Sequence, residues 1–144
     1  QASSSAASDV YKRQIYYYQL IKYQNKWNFN MPSLILHIDE SLDSNFKKSE
    51  IKVIEKQMTD IIINELDAEE DNCQIIWVES KTFTSNYKLY GEMKFREKKS
   101  RTINSREKCL KKIGDILKNE FNVFVRLRAF SIKEACITAL DLKE

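Results

Sequence analysis

A strand–helix–strand pattern that occurs twice is the feature that most constrains how this chain can fold. In the first unit, residues 32–38 alternate apolar and polar side chains, residues 48–66 carry an apolar stripe with the helical period, and residues 73–78 form a nearly continuous apolar run. These patterns are typical of a half-buried strand, an amphipathic helix and a buried strand. A long helix between two strands favours parallel pairing through a right-handed crossover.

A second such unit follows toward the C-terminus. Residues 89–96 alternate with the strand period, residues 106–121 carry a second apolar stripe with the helical period, and residues 135–142 supply a final strand. The segment from Asn104 to Glu107 resembles a capping box, which predicts the start of the second long helix.

Residues 122–134 leave two interpretations open. They alternate apolar and polar side chains, as a strand would, but no Gly or Pro ends the preceding helix, so its continuation is equally compatible. The apolar stripes of the two helices need one shared apolar surface, which four strands provide. The sequence therefore predicts an α+β domain over residues 31–144, in which two β-α-β units form a four-stranded mixed sheet with both helices on one face.

Residues 1–30 differ in composition from the rest of the chain. Residues 1–14 are small and polar and resemble a translated adapter leader, and residues 15–30 are rich in the amino acids of A/T-rich codons. We interpret residues 1–30 as a non-native or disordered leader, an artefact of assembly or read-through. A native, poorly ordered arm and an arm that binds nucleic acid are the alternatives.

The charge of the chain gives no argument for a nucleic-acid partner. Of the 24 basic and 21 acidic residues, four basic and one acidic lie in residues 1–30, so residues 31–144 carry 20 of each and are formally neutral. No run of about 18 apolar residues is present, so no membrane span is expected.

Cysteine and histidine usage argues against metal chemistry. The three cysteines, Cys73, Cys109 and Cys136, fit neither a disulfide framework nor a metal knuckle. We expect free thiols that pack as small buried hydrophobes, in a reducing cytoplasm. Because His37 is the one histidine of the chain, a zinc site or a Ser-His-Asp triad would depend on it alone. We expect a partly buried, structural His37 and no metal or cofactor.

The dipeptide Met31-Pro32 directly precedes the first strand pattern. Within a chain, the proline nitrogen is a tertiary amide without a proton or basicity. If translation begins at Met31 and the methionine is removed, Pro32 carries a secondary amine, whose pKa burial and nearby positive charge lower toward neutrality. A general base works best with such a pKa. A structural proline at the start of a strand, which sheets tolerate, is the alternative.

These features together resemble the tautomerase superfamily. A Met-Pro start leads into a strand, and two β-α-β units follow within about 114 residues. The segments LYGEMKFR at 89–96, KSRTINSR at 99–106 and ITALDL at 137–142 are similar to the 5-carboxymethyl-2-hydroxymuconate isomerase branch. The resemblance covers residues 31–142.

The resemblance implies a keto–enol tautomerase with Pro32 as general base, no cofactor, and a small unsaturated 2-hydroxy or 2-oxo dicarboxylic acid as substrate. It implies that Arg101, just before the second helix, binds a substrate carboxylate. It also implies a homotrimer with sites between subunits, where Arg126 or Arg128 of a neighbour is a further candidate. Edge strands such as 32–38 or 135–142, unpaired in a monomer, would be covered by association.

Several positions depart from the pattern of that family. Ser33 stands where the family has His, and His37 stands where an acidic residue is common. Ser100 replaces the turn glycine, and residues 72–77 lack the Arg found near the start of the second strand. Two alternatives therefore remain. One is an inactive protein of this fold that acts through protein–protein contact, and the other is a small α+β binding domain in which the N-terminal arm is native and Pro32 is internal.

Overall fold

Four strands and two long helices form the part of the chain that the computed structural model describes, which is residues 31–43, 48–81 and 86–138. The elements are β1 (Ser33–Asp39), α1 (Lys48–Leu66), β2 (Gln74–Ser80), β3 (Tyr87–Arg96), α2 (Ile103–Phe121) and β4 (Phe124–Ile132). Single turns of helix occupy Glu40–Asp43, Glu70–Asn72 and Glu134–Cys136. The predicted leader, residues 1–30, lies outside the described residues.

The strands form one mixed sheet in the order β2-β1-β3-β4. The pairs β1–β2 and β3–β4 are parallel, and β1–β3 is antiparallel. This arrangement confirms the two β-α-β units and the four-stranded mixed sheet. The prediction that residues 32–38 form an edge strand is wrong, because β1 lies between β2 and β3. Within the described ranges, the edges are β2 and β4.

Both long helices pack on one face of the sheet, as predicted. Alternate residues of β1 and β3 point toward them, and the buried core joins these residues to one stripe from each helix. The core consists of Leu34, Leu36, Ile38, Ile54, Met58, Ile62, Leu66, Leu89, Met93, Phe95, Cys109, Ile113, Leu117 and Phe121. No helix in the described segments is long and apolar enough to cross a membrane.

The fourth strand differs in position from the prediction. It is β4, Phe124–Ile132, so a strand forms within residues 122–134, for which a strand and a continued helix were both compatible with the sequence. The strand predicted at 135–142 is not observed in its described part, because residues 134–136 form a 3-10 turn and residues 137–138 belong to no strand. Residues 139–142 lie outside the described residues. Asn122 explains how α2 ends without a glycine, since it adopts the left-handed conformation with φ of 50°, which Asn tolerates at a helix C-terminus.

The start of α2 also differs from the prediction. Its N-cap is Thr102, whose Oγ1 accepts a hydrogen bond of 3.2 Å from the backbone N–H of Ser105. Asn104 lies within the first turn of the helix. The predicted capping box from Asn104 to Glu107 is therefore wrong, because a hydroxyl two residues earlier satisfies the orphan N–H group.

Candidate active site

Pro32 lies at the end of the sheet where β1 begins. Its side chain is fully buried, while Met31 before it is 41% exposed. The Pro32 carbonyl accepts a hydrogen bond of 3.0 Å from the backbone N–H of Gln74. The next residue, Ser33, pairs with Gln74 of β2 and with Lys94 of β3. The Pro32 backbone is therefore held between two neighbouring strands. In the full chain its nitrogen is an amide bonded to Met31.

Arg101 reaches the same end of the sheet from the loop before α2. It is 4% exposed, and its guanidinium lies 5.7 Å from the centroid of the Phe95 ring. Its Nε donates to the Leu66 carbonyl at 2.6 Å, and its Nη1 donates to the Arg96 carbonyl at 2.7 Å. Burial lowers the pKa of the Arg101 guanidinium, but arginine starts so high that it stays charged. One buried cation thus joins the ends of α1 and β3.

The C-terminus of α1 shows why a cation is favourable there. Asp67 ends the helix with φ of 49°, and the N–H of Ala68 donates to the Ile63 carbonyl at 3.3 Å, which is the Schellman pattern. The last carbonyls of a helix carry partial negative charge and need donors. Lys98 donates to the Asp67 carbonyl at 3.1 Å and Ser100 to the Asp67 carboxylate at 3.0 Å. Ser100 therefore helps to fasten this loop.

The prediction that Arg101 binds a substrate carboxylate stays a prediction. The structure brings Arg101 to the Pro32 end of the sheet, because it contacts Phe95 and the Arg96 carbonyl at the end of the strand that pairs with β1. In the described structure, the guanidinium N–H groups of Arg101 donate hydrogen bonds to backbone carbonyls. A ligand would reach the guanidinium only by displacing part of this network.

Arg96 is a residue that the sequence analysis did not single out for the site. Its side chain is only 16% exposed, and its Nη1 lies 3.2 Å from Oε1 of Glu134, whose side chain is 76% exposed. Glu134 begins the 3-10 turn after β4. The signal that was present in the sequence is its place as the last residue of the alternating segment 89–96.

The sheet face opposite the helices carries a group of polar side chains at its centre. The Tyr90 hydroxyl donates to Glu92 at 2.8 Å, and Lys94 lies 3.1 Å from the Glu92 carboxylate. The hydrogen bond from Tyr90, followed by that from Lys94, lowers the pKa of Glu92, and the same Tyr90–Glu92 contact raises the pKa of Tyr90. His37 is half-buried, with its ring 6.1 Å from that of Tyr90, as expected for a structural histidine.

Arg126 and Arg128 project from β4 on this same face of the sheet. Both are exposed, and they pair in register with Tyr90 and Glu92 of β3. The Arg126 guanidinium lies 4.0 Å from the centroid of the Tyr87 ring, a cation–π contact. A neighbouring copy could therefore meet two cationic side chains here.

The three cysteines occupy different environments. Cys109 is fully buried, and burial raises its pKa to about 12. Cys73 is half-buried, and burial raises its pKa as well. Cys136 is exposed, so the expectation that all three are buried hydrophobes is wrong for Cys136. In the described part of the chain, no cluster of His, Cys, Asp and Glu could hold a metal ion.

Comparison with solved structures identifies the fold. The chain is similar to Pt0534 inactivated by 2-oxo-3-pentynoate, with a TM-score of 0.60, 14% identity and coverage of 74% of this chain and 91% of that one. A Q0 fused 4-OT wild-type symmetric trimer gives a TM-score of 0.60 at 11% identity, covering 74% and 90%. N1, a member of the cis-3-chloroacrylic acid dehalogenase family, gives 0.60 at 12%, covering 74% and 79%.

These likenesses define an α+β protein with the tautomerase fold, in agreement with the four-stranded mixed sheet and its two helices. No protein-family model matches the sequence, and no match was found among curated protein sequences. Sequence identities of 11–14% establish the fold and leave the chemistry to be argued from the site.

Proposed function

We propose that this protein is a keto–enol tautomerase, an isomerase whose general base is the amine of Pro32 in a mature chain that begins there. The observation that carries the proposal is the position of Met31-Pro32. Pro32 is buried where the central strand β1 begins, and an exposed methionine precedes it. The shared fold with Pt0534 and 4-OT supports the same conclusion. Removal of Met31 would turn an inert amide into a base.

In the proposed reaction, the neutral Pro32 amine takes a proton from the hydroxyl of a 2-hydroxy dienol, or from the carbon next to the carbonyl of a 2-oxo substrate. The electron pair of the broken O–H or C–H bond stays in the conjugated system, and a dienolate forms with negative charge on oxygen. The protonated amine then returns the proton to another carbon, which regenerates both the carbonyl and the base. Burial of Pro32 favours its neutral form. The proposed substrate is a small unsaturated 2-hydroxy or 2-oxo dicarboxylic acid such as 5-carboxymethyl-2-hydroxymuconate.

Arginines at the site would bind the substrate carboxylates. Arg101 is one candidate, and its guanidinium N–H groups, which hydrogen-bond to backbone carbonyls in the structure, would then bind the carboxylate. Arg126 or Arg128 of a neighbouring copy is another, in a proposed homotrimer with sites between subunits. Exposure of both β4 arginines and the trimeric state named for the 4-OT structure support this assembly. Sedimentation should give a trimer mass at micromolar concentration, and a monomer would contradict this part of the proposal.

A second candidate function is an inactive protein of this fold that acts through protein–protein contact. Two observations favour it. First, the Arg101 guanidinium donates hydrogen bonds to the carbonyls of Leu66 and Arg96. Second, β2, residues 74–80, contains no arginine. This function would need neither a free Pro32 amine nor a substrate.

An ultraviolet assay of enol decay distinguishes the two functions. We expect the protein that begins at Pro32 to ketonise small dicarboxylate dienols or arylpyruvate enols, and the 144-residue chain to be inactive. A chain that begins with Ala in place of Pro32 is the matched control, since it keeps a free amine of different basicity and geometry. Equal activity of all three proteins would exclude Pro32 as the base. Inactivity of all three would favour the interaction function.

A further inference from the structure

We propose that the groove between α2 and β4 binds a small amphipathic carboxylate, a molecule with a short alkyl body and one anionic head. The groove has a volume of about 370 Å³, within the range of small-molecule sites in proteins. Neither Pro32 nor Arg101 lines it. This inference therefore goes beyond the proposed function and does not depend on it.

The two glycines of the chain shape this groove. A Cβ at Gly91 in β3 would lie 2.6 Å from Cδ2 of Leu127, so this methyl group fills the space that a side chain at Gly91 would need. The other methyl carbon, Cδ1, lies 3.6 Å from a Cβ built at Gly114 in α2. Leu127 therefore packs against Gly91, and α2 has no side chain at Gly114 to cover the space above Leu127.

The apolar side chains that line the groove remain partly in contact with water. Leu110 of α2 is half-buried, as are Val125 and Leu127 of β4. Phe124, where β4 begins, is 67% exposed. An alkyl chain in the groove would remove these side chains from water, which is favourable in proportion to the apolar area buried. The lining therefore favours a ligand with an apolar body.

Two lysines supply positive charge at the groove. Lys111 and Lys118 are exposed and line it from the same helix, about 10 Å apart along the axis of α2. In the described part of the chain, neither lysine forms an ion pair. Asp115 lies between them, so two cations and one anion leave a net charge of +1. This charge is complementary to one carboxylate and disfavours an ammonium group.

Selective ¹⁵N labelling of glycine tests where the ligand binds. The 144-residue chain contains two glycines, so the labelled protein gives two backbone amide signals, and Gly114→Ala identifies the signal of Gly114. The probe is octanoate, a straight-chain carboxylate. We expect octanoate to shift the Gly114 signal to saturation and to move the signal of the buried Gly91 less. Octylammonium, which has the same chain and the opposite charge, should bind more weakly by about fivefold or more.

Substitutions in α2 test the chemistry of the groove. The double variant Lys111→Gln/Lys118→Gln should weaken octanoate binding by about three- to tenfold, because exposed charges contribute modestly. Lys108→Gln/Lys119→Gln is the matched control, since both lysines are exposed on α2 and neither lines the groove. The control should change the affinity by less than about twofold. Gly114→Leu should remove binding in the groove, as measured by equilibrium dialysis of octanoate, because its side chain would occupy the space above Leu127.

A Gly114 signal that octanoate does not shift would overturn the inference, and so would equal binding of octylammonium. Equal affinities in the two double-lysine variants would also overturn it, because the effect would then be one of net charge. A Gly114 signal that changes on dilution of the protein, and not with octanoate, would mean that another copy of the chain covers the groove. If Gly114→Leu does not fold, as judged by its thermal unfolding, the lysine variants decide.

Discussion

Arg101 donates a hydrogen bond of 2.6 Å from Nε to the carbonyl oxygen of Leu66, the last residue of α1. The same guanidinium binds the Arg96 carbonyl at the end of β3. A buried cation therefore fastens the helix C-terminus to the strand that runs beside Pro32. This contact depends on residues 35 positions apart in the chain.

Arg101→Ala should lower the free energy of unfolding by about 2–4 kcal/mol. The change removes the Arg101 donors from the buried contact with the Leu66 carbonyl and the part-buried contact with the Arg96 carbonyl, and it removes a side chain from the Phe95 ring. Urea denaturation measures the loss. Arg106→Ala is the matched control, because its Nε donates to the nearby Thr102 carbonyl at an exposed site, and we expect a change in the free energy of unfolding below about 0.5 kcal/mol.

Kinetics separate the structural from the binding role of Arg101. If Arg101 also binds substrate, Arg101→Ala should reduce kcat/KM for a dicarboxylate more than for an uncharged enol, under conditions where the variant is fully folded. Equal losses for both substrates would assign Arg101 to structure alone.

The two glycines should respond in opposite ways to alanine. A Cβ at Gly91 would lie 2.6 Å from Leu127 and 2.8 Å from Leu36, so Gly91→Ala should destabilise the protein by about 1–3 kcal/mol. At Gly114 in α2, the nearest atom, also on Leu127, is 3.6 Å away. Gly114→Ala should stabilise by up to about 1 kcal/mol, because alanine favours the helix. Thermal unfolding of both variants checks the pair, and destabilisation by Gly114→Ala would contradict the described packing of α2.

The cap of α2 can be tested by a second pair of substitutions. Thr102→Ala should lower the free energy of unfolding by about 1 kcal/mol, because the N–H of Ser105 loses its acceptor. Asn104→Ala should be close to neutral, since Asn104 is exposed within the first turn. Chemical denaturation of the two variants compares them. A larger loss of stability in Asn104→Ala than in Thr102→Ala would contradict this result and support the capping box predicted from the sequence.

The long helices were the most predictable part of the fold. The apolar stripe predicted a helix over residues 48–66, and α1 spans Lys48–Leu66. A period sustained over five turns is a strong local signal. The position of the fourth strand was not predictable in this way, because Asn122, rather than a glycine, ends α2. Polar residues in the left-handed conformation give no clear stop signal in a sequence.

The candidate site was only partly predictable. Met31-Pro32 is a contiguous motif, so the sequence could single it out. The contact of Arg96 with Glu134 and that of Arg101 with Leu66 join distant segments. Both arginines belong to a run of charges that looks solvated, and only the folded chain distinguishes the buried Arg101 from the exposed Lys99.

Thiol reactivity should follow burial and pKa. At pH 8, a thiol with the Cys109 pKa of about 12 is ionised in about one molecule in ten thousand. We expect iodoacetamide to modify the exposed Cys136 first, Cys73 more slowly, and Cys109 only after unfolding. Raising the pH should increase the rate at Cys73, because a raised pKa leaves most of that thiol protonated near neutrality. Mass spectrometry of timed digests measures the order, and early labelling of Cys109 would contradict the described core.

The most direct test of the central claim is to titrate the Pro32 amine and the reaction rate in the same protein. The chain that begins at Pro32, labelled with ¹⁵N at proline, gives the amine pKa by NMR, and enol decay gives kcat/KM across the same pH range. We predict that kcat/KM rises with pH, because only the neutral amine accepts a proton. The two titrations should share one pKa, below the roughly 7.7–8.0 of an ordinary α-amino group. A rate that stays constant while the Pro32 amine titrates would contradict the claim.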